Sequence, residues 1–467
     1  MILKKKSVYL RSIYNIKPKT VIEMNVKILN KDGVNYLVPF ILITSCFALW
    51  GFANDMNGPI VKAFSKIFRM GTTGGTLVQG AINLAYFCMA FPAAKFIQRY
   101  TFKSGVLMGL GLFTLATFLF LPAKLCGQFI PFLAVYFILG CGLSFLETSC
   151  NPFIYCMGPE ETATRRLNLA QAFNPIGALL GMYIAMQFIQ ARMSDMTTEQ
   201  RMELSDQQFN ILKDNDLGVL IGPYLGLGLA CLLLLILIRM RKMPKAADTS
   251  TNKPMRVALR ELYHIKNYRE GVVAQFFYVG AQVACWTLIL KYGTRIFMAE
   301  GMEEKAAEIL AQKFNIGAMV LFSVSRFVCT WFLKYVSAGR LLSVLAILAA
   351  VLIGGVILFP NRNGIYCLVA VSACMSLMFP TIYGIALRGV GDNVKFASTG
   401  LIMAILGGSV FPPLQALIID SKISIFGLPS TNISYIIPLV CFVVIAAYGH
   451  RAYVRHYLLN PGSKNHA

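Results

Sequence analysis

Polar and apolar residues separate along this chain into long blocks. Apolar runs occupy about residues 36–65, 74–97, 104–122, 128–157, 164–190, 217–238, 268–292, 311–334, 341–359, 364–387, 396–420 and 432–453. A helix rises about 1.5 Å per residue, so about 20 apolar residues cross a hydrocarbon core roughly 30 Å thick. The pattern predicts an all-α polytopic membrane protein with twelve transmembrane helices. Between the sixth and seventh runs lies "RMRKMPKAADTSTNKPMRVALRELYHIKNYRE", polar, basic and punctuated by Pro244 and Pro254. It reads as a linker between two six-helix halves. The expected organisation is a tail (1–35), a first half (36–238), a linker (239–267), a second half (268–453) and a second tail (454–467). The halves show weak repetition. The first spans start near 36 and 271, and the same offset relates Arg99–Tyr100 to Lys334–Tyr335.

Composition agrees: 57% of the 467 residues are hydrophobic and only 14% charged, too apolar for a soluble domain of this length. The net charge of +22 could suggest a nucleic-acid partner, but its placement excludes that reading. With both tails on the cytoplasmic side, inner segments hold 29 of the 43 Lys and Arg residues and outer segments 13, with Arg326 inside a span. That bias is the positive-inside pattern. It predicts a plasma (inner) membrane protein with both termini cytoplasmic. The first 35 residues lack a signal-peptide pattern, so the first span is expected to act as an uncleaved insertion signal. The 12 cysteines form no metal-ligand spacing and read as small packing residues. No metal site or cofactor is expected.

The carboxylates carry the chemistry. Of 21 Asp and Glu residues, 19 fall in loops, tails or span ends; Asp55 in span 1 and Glu147 in span 4 lie well inside. A buried carboxyl costs energy in a bilayer and belongs in the bundle interior or a water-filled cavity, where it can carry a proton. The alternative is a carboxylate that only orients helices. Neighbouring polar groups share helix faces. "GLSFLETSCNPF" sets Asn151 four residues after Glu147, ahead of Pro152. "NLAQAFNPIG" sets Gln171 and Asn174 three apart, ahead of Pro175. "FALWGFANDMNG" pairs Asn54 with Asn57, and "FFYVGAQVACW" spaces Tyr278, Gln282 and Trp286 by fours. Amides and acids match sugar hydroxyls and aromatic faces cover the apolar side of a ring, although isolated amides can equally be interhelical hydrogen bonds.

At this point "FALWGFAN", "LETSCNPF", "RRLNLAQAFN", "YVGAQVACW" and "FPTIYGIALRGVG" resemble, in order and spacing from about residue 40 to 450, the fucose permease branch of the major facilitator superfamily. The resemblance implies the major facilitator fold, alternating access and proton-coupled uptake of a hexose, with L-fucose first and glucose or galactose as the alternative. The superfamily's usual glycine-rich loop motif is degenerate here. The resemblance makes Glu147 a proton-coupling and sugar-recognising residue, Gln171 and Asn174 sugar-contacting amides, and Phe322 an aromatic flanking the sugar. Phe379 falls where a fucose-transporting member has tyrosine. Span 1 departs from the branch: Gly58 stands where its second acid is expected, and Asp55 lies one helical turn away. Either Asp55 replaces that acid in proton coupling, or it joins Asn54, Asn57, Asn151 and Gln282 in the sugar site and Glu147 alone carries the proton.

Other features weigh less. Arg326 is placed near the cytoplasmic face, free to snorkel or to pair. Loop 191–216, with six acids and three bases, reads as a solvated outer loop, and "GPEETATRR" (158–166) as a turn where helix capping and gate ion pairs are both open. No phosphate-binding loop appears, and no grouping of nucleophile, base or metal ligands suggests an enzyme. A transporter-like sugar sensor that does not accumulate its ligand stays open as a further reading. The expected partners are a sugar, protons and the lipid bilayer, and the expected state is a monomer.

Overall fold

The computed structural model describes residues 29–31, 34–70, 72–194, 196, 198–241, 243, 255–421, 424 and 427–459. A few side chains within these ranges, including those of 57–62, fall outside the description. So do the N-terminal tail to residue 28, residues 244–254 of the linker and the C-terminal tail from 460. Apart from two short antiparallel strands, Asn30–Lys31 and Val34–Asn35, the described chain is helical. Twelve segments are long and apolar enough to cross a membrane. Spans 1 to 4 are Leu37–Ile67, Thr72–Arg99, Phe102–Cys126 and Phe129–Cys156. Span 5 is Ala163–Gln171 followed by Phe173–Ile184 and a π-helical turn, Ala185–Gln190; span 6 is Asp206–Met240. Spans 7 to 9 are Lys266–Ala299, Glu304–Phe332 and Ala338–Leu358. Span 10 is Arg362–Met375 with Met378–Ala386; span 11 runs from Val394 to Asp420 through a 3-10 turn; span 12 is Ser430–Ile433 with Ile436–Leu459. The end of the bundle where span 1 begins is called the tail end below.

Helix boundaries follow local chemistry. Thr101 caps span 3 through Ser104 N at 3.0 Å, and Gly127 ends it with φ +60°. Ser205 and Gln208 form a capping box that starts span 6 eleven residues before its apolar run. That corrects the expected solvated loop at 191–216. Arg201 and Asp216 there form an ion pair at 2.6 Å with both side chains fully buried, and Asp216 also accepts from Ser194 N at 3.1 Å. In the 158–166 turn, capping is what the structure contains. Buried Arg166 donates to the Ile154 and Tyr155 carbonyls at 2.9 and 2.6 Å, closing the end of span 4. The linker is not all irregular: Met255–His264 is an amphipathic helix, and its Glu261 accepts from Asn393 at 2.8 Å.

Two apolar cores form. One gathers spans 1–6 with the tail-end parts of spans 10 and 11; the other gathers spans 7–12. Spans 1 and 5 meet backbone to backbone. A Cβ on Gly177 would lie 1.9 Å from the Ala48 carbonyl oxygen, and one on Gly51 would lie 2.0 Å from that of Asn174. Only glycine permits that approach. The halves join at the tail end. Asn168 Nδ2 donates to Thr381 Oγ1 at 3.1 Å, the Gly389 amide donates to Glu160 at 3.4 Å, and Lys395 Nζ sits 5.4 Å from the Phe102 ring centre. Higher up, the Phe173 and Phe327 rings meet edge to face at 6.1 Å.

Candidate functional site

Above these contacts a cavity of about 490 Å³ separates the halves, within the roughly 300–1,000 Å³ usual for small-molecule sites. The first half supplies a polar wall. Span 1 gives Asn54 and Asp55, span 2 Asn83 and Tyr86, span 4 Glu147, and span 5 Gln171 and Asn174. Asn174 Nδ2 donates to the Phe47 carbonyl at 3.2 Å, which fixes its amide against span 1. Tyr86 lines the same cavity as Glu147 and Asn54. Both intramembrane carboxylates thus face one cavity, and neither has an ion-pair partner among the described residues.

The second half supplies an aromatic wall. Trp286 and Phe322 meet edge to face at 4.9 Å, and Trp286 Nε1 donates to Ser372 at 3.2 Å. Phe379 and Gln282 complete it. These are the faces that cover the apolar side of a ring.

Arg326 corrects the sequence reading. It is neither at the surface nor snorkelling: it is buried in the cavity floor. Its Nε donates to the Ser376 carbonyl at 2.6 Å, its Nη1 to the Gln171 carbonyl at 3.0 Å, and its guanidinium lies 4.5 Å from the Phe322 ring centre. Both acceptors have one origin. A proline has no N–H, so it leaves the carbonyl four residues earlier without its helical partner. Pro175 frees Gln171 and Pro380 frees Ser376. The arginine of span 8 therefore ties together two proline-broken helices, one from each half.

The structure brings together Asn54, Asp55, Glu147, Gln171, Asn174, Gln282, Phe322 and Phe379. Two expected contributors sit elsewhere. Asn151 is fully buried behind the wall; its Oδ1 accepts from Gln171 Nε2 at 2.6 Å and its Nδ2 donates to the Glu147 carbonyl at 3.1 Å. It positions Gln171 rather than lining the cavity. Asn57 and Gly58 lie on span 1, but the side chain of Asn57 and the surroundings of Gly58 fall outside the description. Tyr278 is core, donating to the Met375 carbonyl at 3.0 Å. Sequence reasoning missed Trp50, Asn83, Tyr86 and Ser323. Asn83 and Tyr86, three apart in an otherwise apolar run, were the available signal.

A family model described as Major Facilitator Superfamily matches residues 43–413. This chain belongs to the Major Facilitator Superfamily. It is an integral membrane transporter rather than an enzyme. It is 43% identical to the "L-fucose-proton symporter" of Haemophilus influenzae over 92% of this chain and 99% of that protein. It is 28% identical to the "Glucose/galactose transporter" of Brucella abortus over 89% and 94%. The crystal structure of the Escherichia coli fucose:proton symporter matches with a TM-score of 0.81 at 29% identity, covering 89% of this chain and 99% of that one. Superfamily members of this kind work as sugar–proton symporters, so the fold and the transport class agree with the cavity.

Proposed function

We propose that the protein takes up L-fucose together with protons by alternating access across the plasma membrane, with both tails cytoplasmic. The carrying observation is the cavity itself, in which a wall of amides and two carboxylates faces a wall of aromatics. Hydroxyls of the sugar would meet Gln171, Asn174 and Asn54, and Trp286 and Phe322 would cover its apolar face. Glu147 would take up a proton from the open side and release it on the other, with Asp55 as the second protonatable group. The basic-residue asymmetry supports placing the tail end in the cytoplasm. In that orientation the closed tail end leaves the cavity facing outward, ready for external sugar. Uptake of labelled L-fucose into vesicles with and without an inward proton gradient tests this. Gradient-dependent accumulation supports it, and binding without accumulation makes the protein a sensor.

A second reading is a glucose or galactose symporter. Phe379, which offers no hydroxyl to the sugar, and the Brucella abortus relative favour it. Competition of L-fucose, D-arabinose, D-galactose and D-glucose against uptake decides between the two.

A further inference from the structure

Below Glu147, toward the tail end, three helices turn polar faces to one another. Span 4 presents Asn151 and Tyr155, four and eight residues beyond Glu147. Span 5 presents Asn168 and Thr164, and span 10 presents Thr381 and Tyr383. Residues three or four apart share a helix face, so spans 4 and 5 each contribute a stripe, and span 10 meets the span 5 stripe through Thr381. The distance from Glu147 to Tyr155 along span 4 is about 12 Å.

The upper part of this column is tied by hydrogen bonds. Asn151 holds Gln171, and Asn168 Nδ2 holds Thr381 Oγ1 at 3.1 Å. The rest is not. Thr164 Oγ1, Asn168 Oδ1, Tyr155 Oη and Tyr383 Oη are all buried without a protein hydrogen-bond partner. Buried polar atoms are nearly always satisfied, by protein or by water, so these four atoms need polar partners that the closed seam does not supply. Thr164 faces Gly384, where an added Cβ would lie 2.6 Å from its hydroxyl. On span 5 Gln171 lines the cavity, and Asn168, Thr164 and Glu160 follow it toward the tail end at steps of three, four and four residues. Glu160 is exposed. The column thus runs from the cavity to tail-end solvent, along the seam between the halves.

We propose that this column is the exit route for the proton, through waters that link the four unpartnered atoms when the halves part at the tail end. The Glu147 carboxyl gives its proton to a water, keeping the O–H electron pair as a carboxylate. The excess proton then moves from water to water and leaves beside Glu160; nothing is oxidised or reduced. The proposal rests on Glu147 as the proton carrier.

The test uses the full chain in proteoliposomes and two assays: net proton-driven sugar uptake, and exchange of labelled for unlabelled sugar at equal concentrations, which needs no net proton movement. Thr164→Val keeps the branched side-chain shape and exchanges the hydroxyl for a methyl group. It should slow net uptake about fivefold or more, with a larger slowing in D2O than the unaltered protein shows, and leave exchange within about twofold. Thr164→Ser should restore net uptake. Net uptake unchanged in Thr164→Val overturns the proposal, as does a parallel loss of both activities, which would mark a purely structural seam. Asn168→Leu repeats the comparison one turn higher. The two levels of failure separate: if Glu147→Gln retains proton-driven accumulation, the carrier assignment itself falls.

Discussion

The two walls of the cavity are built from different chemistry. The first half brings two carboxylates, amides and a tyrosine; the second brings Trp286, Phe322 and Phe379 with one arginine whose Nε and Nη1 are already committed to backbone carbonyls. The groups that change charge therefore stand on one body, while groups that grip a ring stand on both, Phe47 and Trp50 facing Trp286, Phe322 and Phe379. A ligand must touch both to be held, and holding it draws the bodies together. The division also assigns different failures to each wall. Damage to the first should uncouple transport from protons, while damage to the second should weaken sugar binding.

The largest effect expected is on the polar wall. Glu147→Gln should lower proton-driven sugar accumulation to background while sugar exchange persists, measured in the vesicle assays above. Loss of exchange alone would break the comparison. Next comes the tie between the walls. Arg326→Met removes two charge-assisted hydrogen bonds, each worth about 1.5–3 kcal/mol, and leaves two carbonyls unpaired. Uptake should fall more than tenfold and the melting temperature in detergent should drop. Lysine at this position should not rescue it, because a point ammonium lacks the fork that reaches both carbonyls. Asp55→Asn then sharpens the polar wall: retained exchange with lost accumulation makes Asp55 a second proton group, and intact coupled uptake makes it part of the sugar site. Phe322→Ala should weaken sugar affinity roughly tenfold, about 1.4 kcal/mol, with the proton-to-sugar ratio unchanged. Smallest is Phe379→Tyr, which should shift preference among hexoses by about threefold in competition assays without altering coupling.

Much of this architecture was legible in the sequence because a bilayer forces its rules on a chain. Twelve apolar runs gave twelve spans, and two acids inside them marked the cavity. The misses have physical causes. Span 6 was read short because its first turns are polar, kept helical by the Ser205 capping box and covered through the buried Arg201–Asp216 pair. Asn151 shares a face with Glu147, but face-sharing does not distinguish a wall from the layer behind it. Arg326 was misplaced because the period of one helix cannot reveal acceptors on two others. The prolines were visible, and the carbonyls they free could have been counted four residues back.

Those freed carbonyls bear on how the molecule can move. An intact helix resists bending because its ladder bonds must stretch, whereas a proline-broken helix has none to stretch at that point. Arg326 grips spans 5 and 10 at their two weakest joints. In mechanical terms it is an axle pin set through the hinge points of two arms, rather than a latch between rigid bars. The arms can swing about such a pin without its being withdrawn.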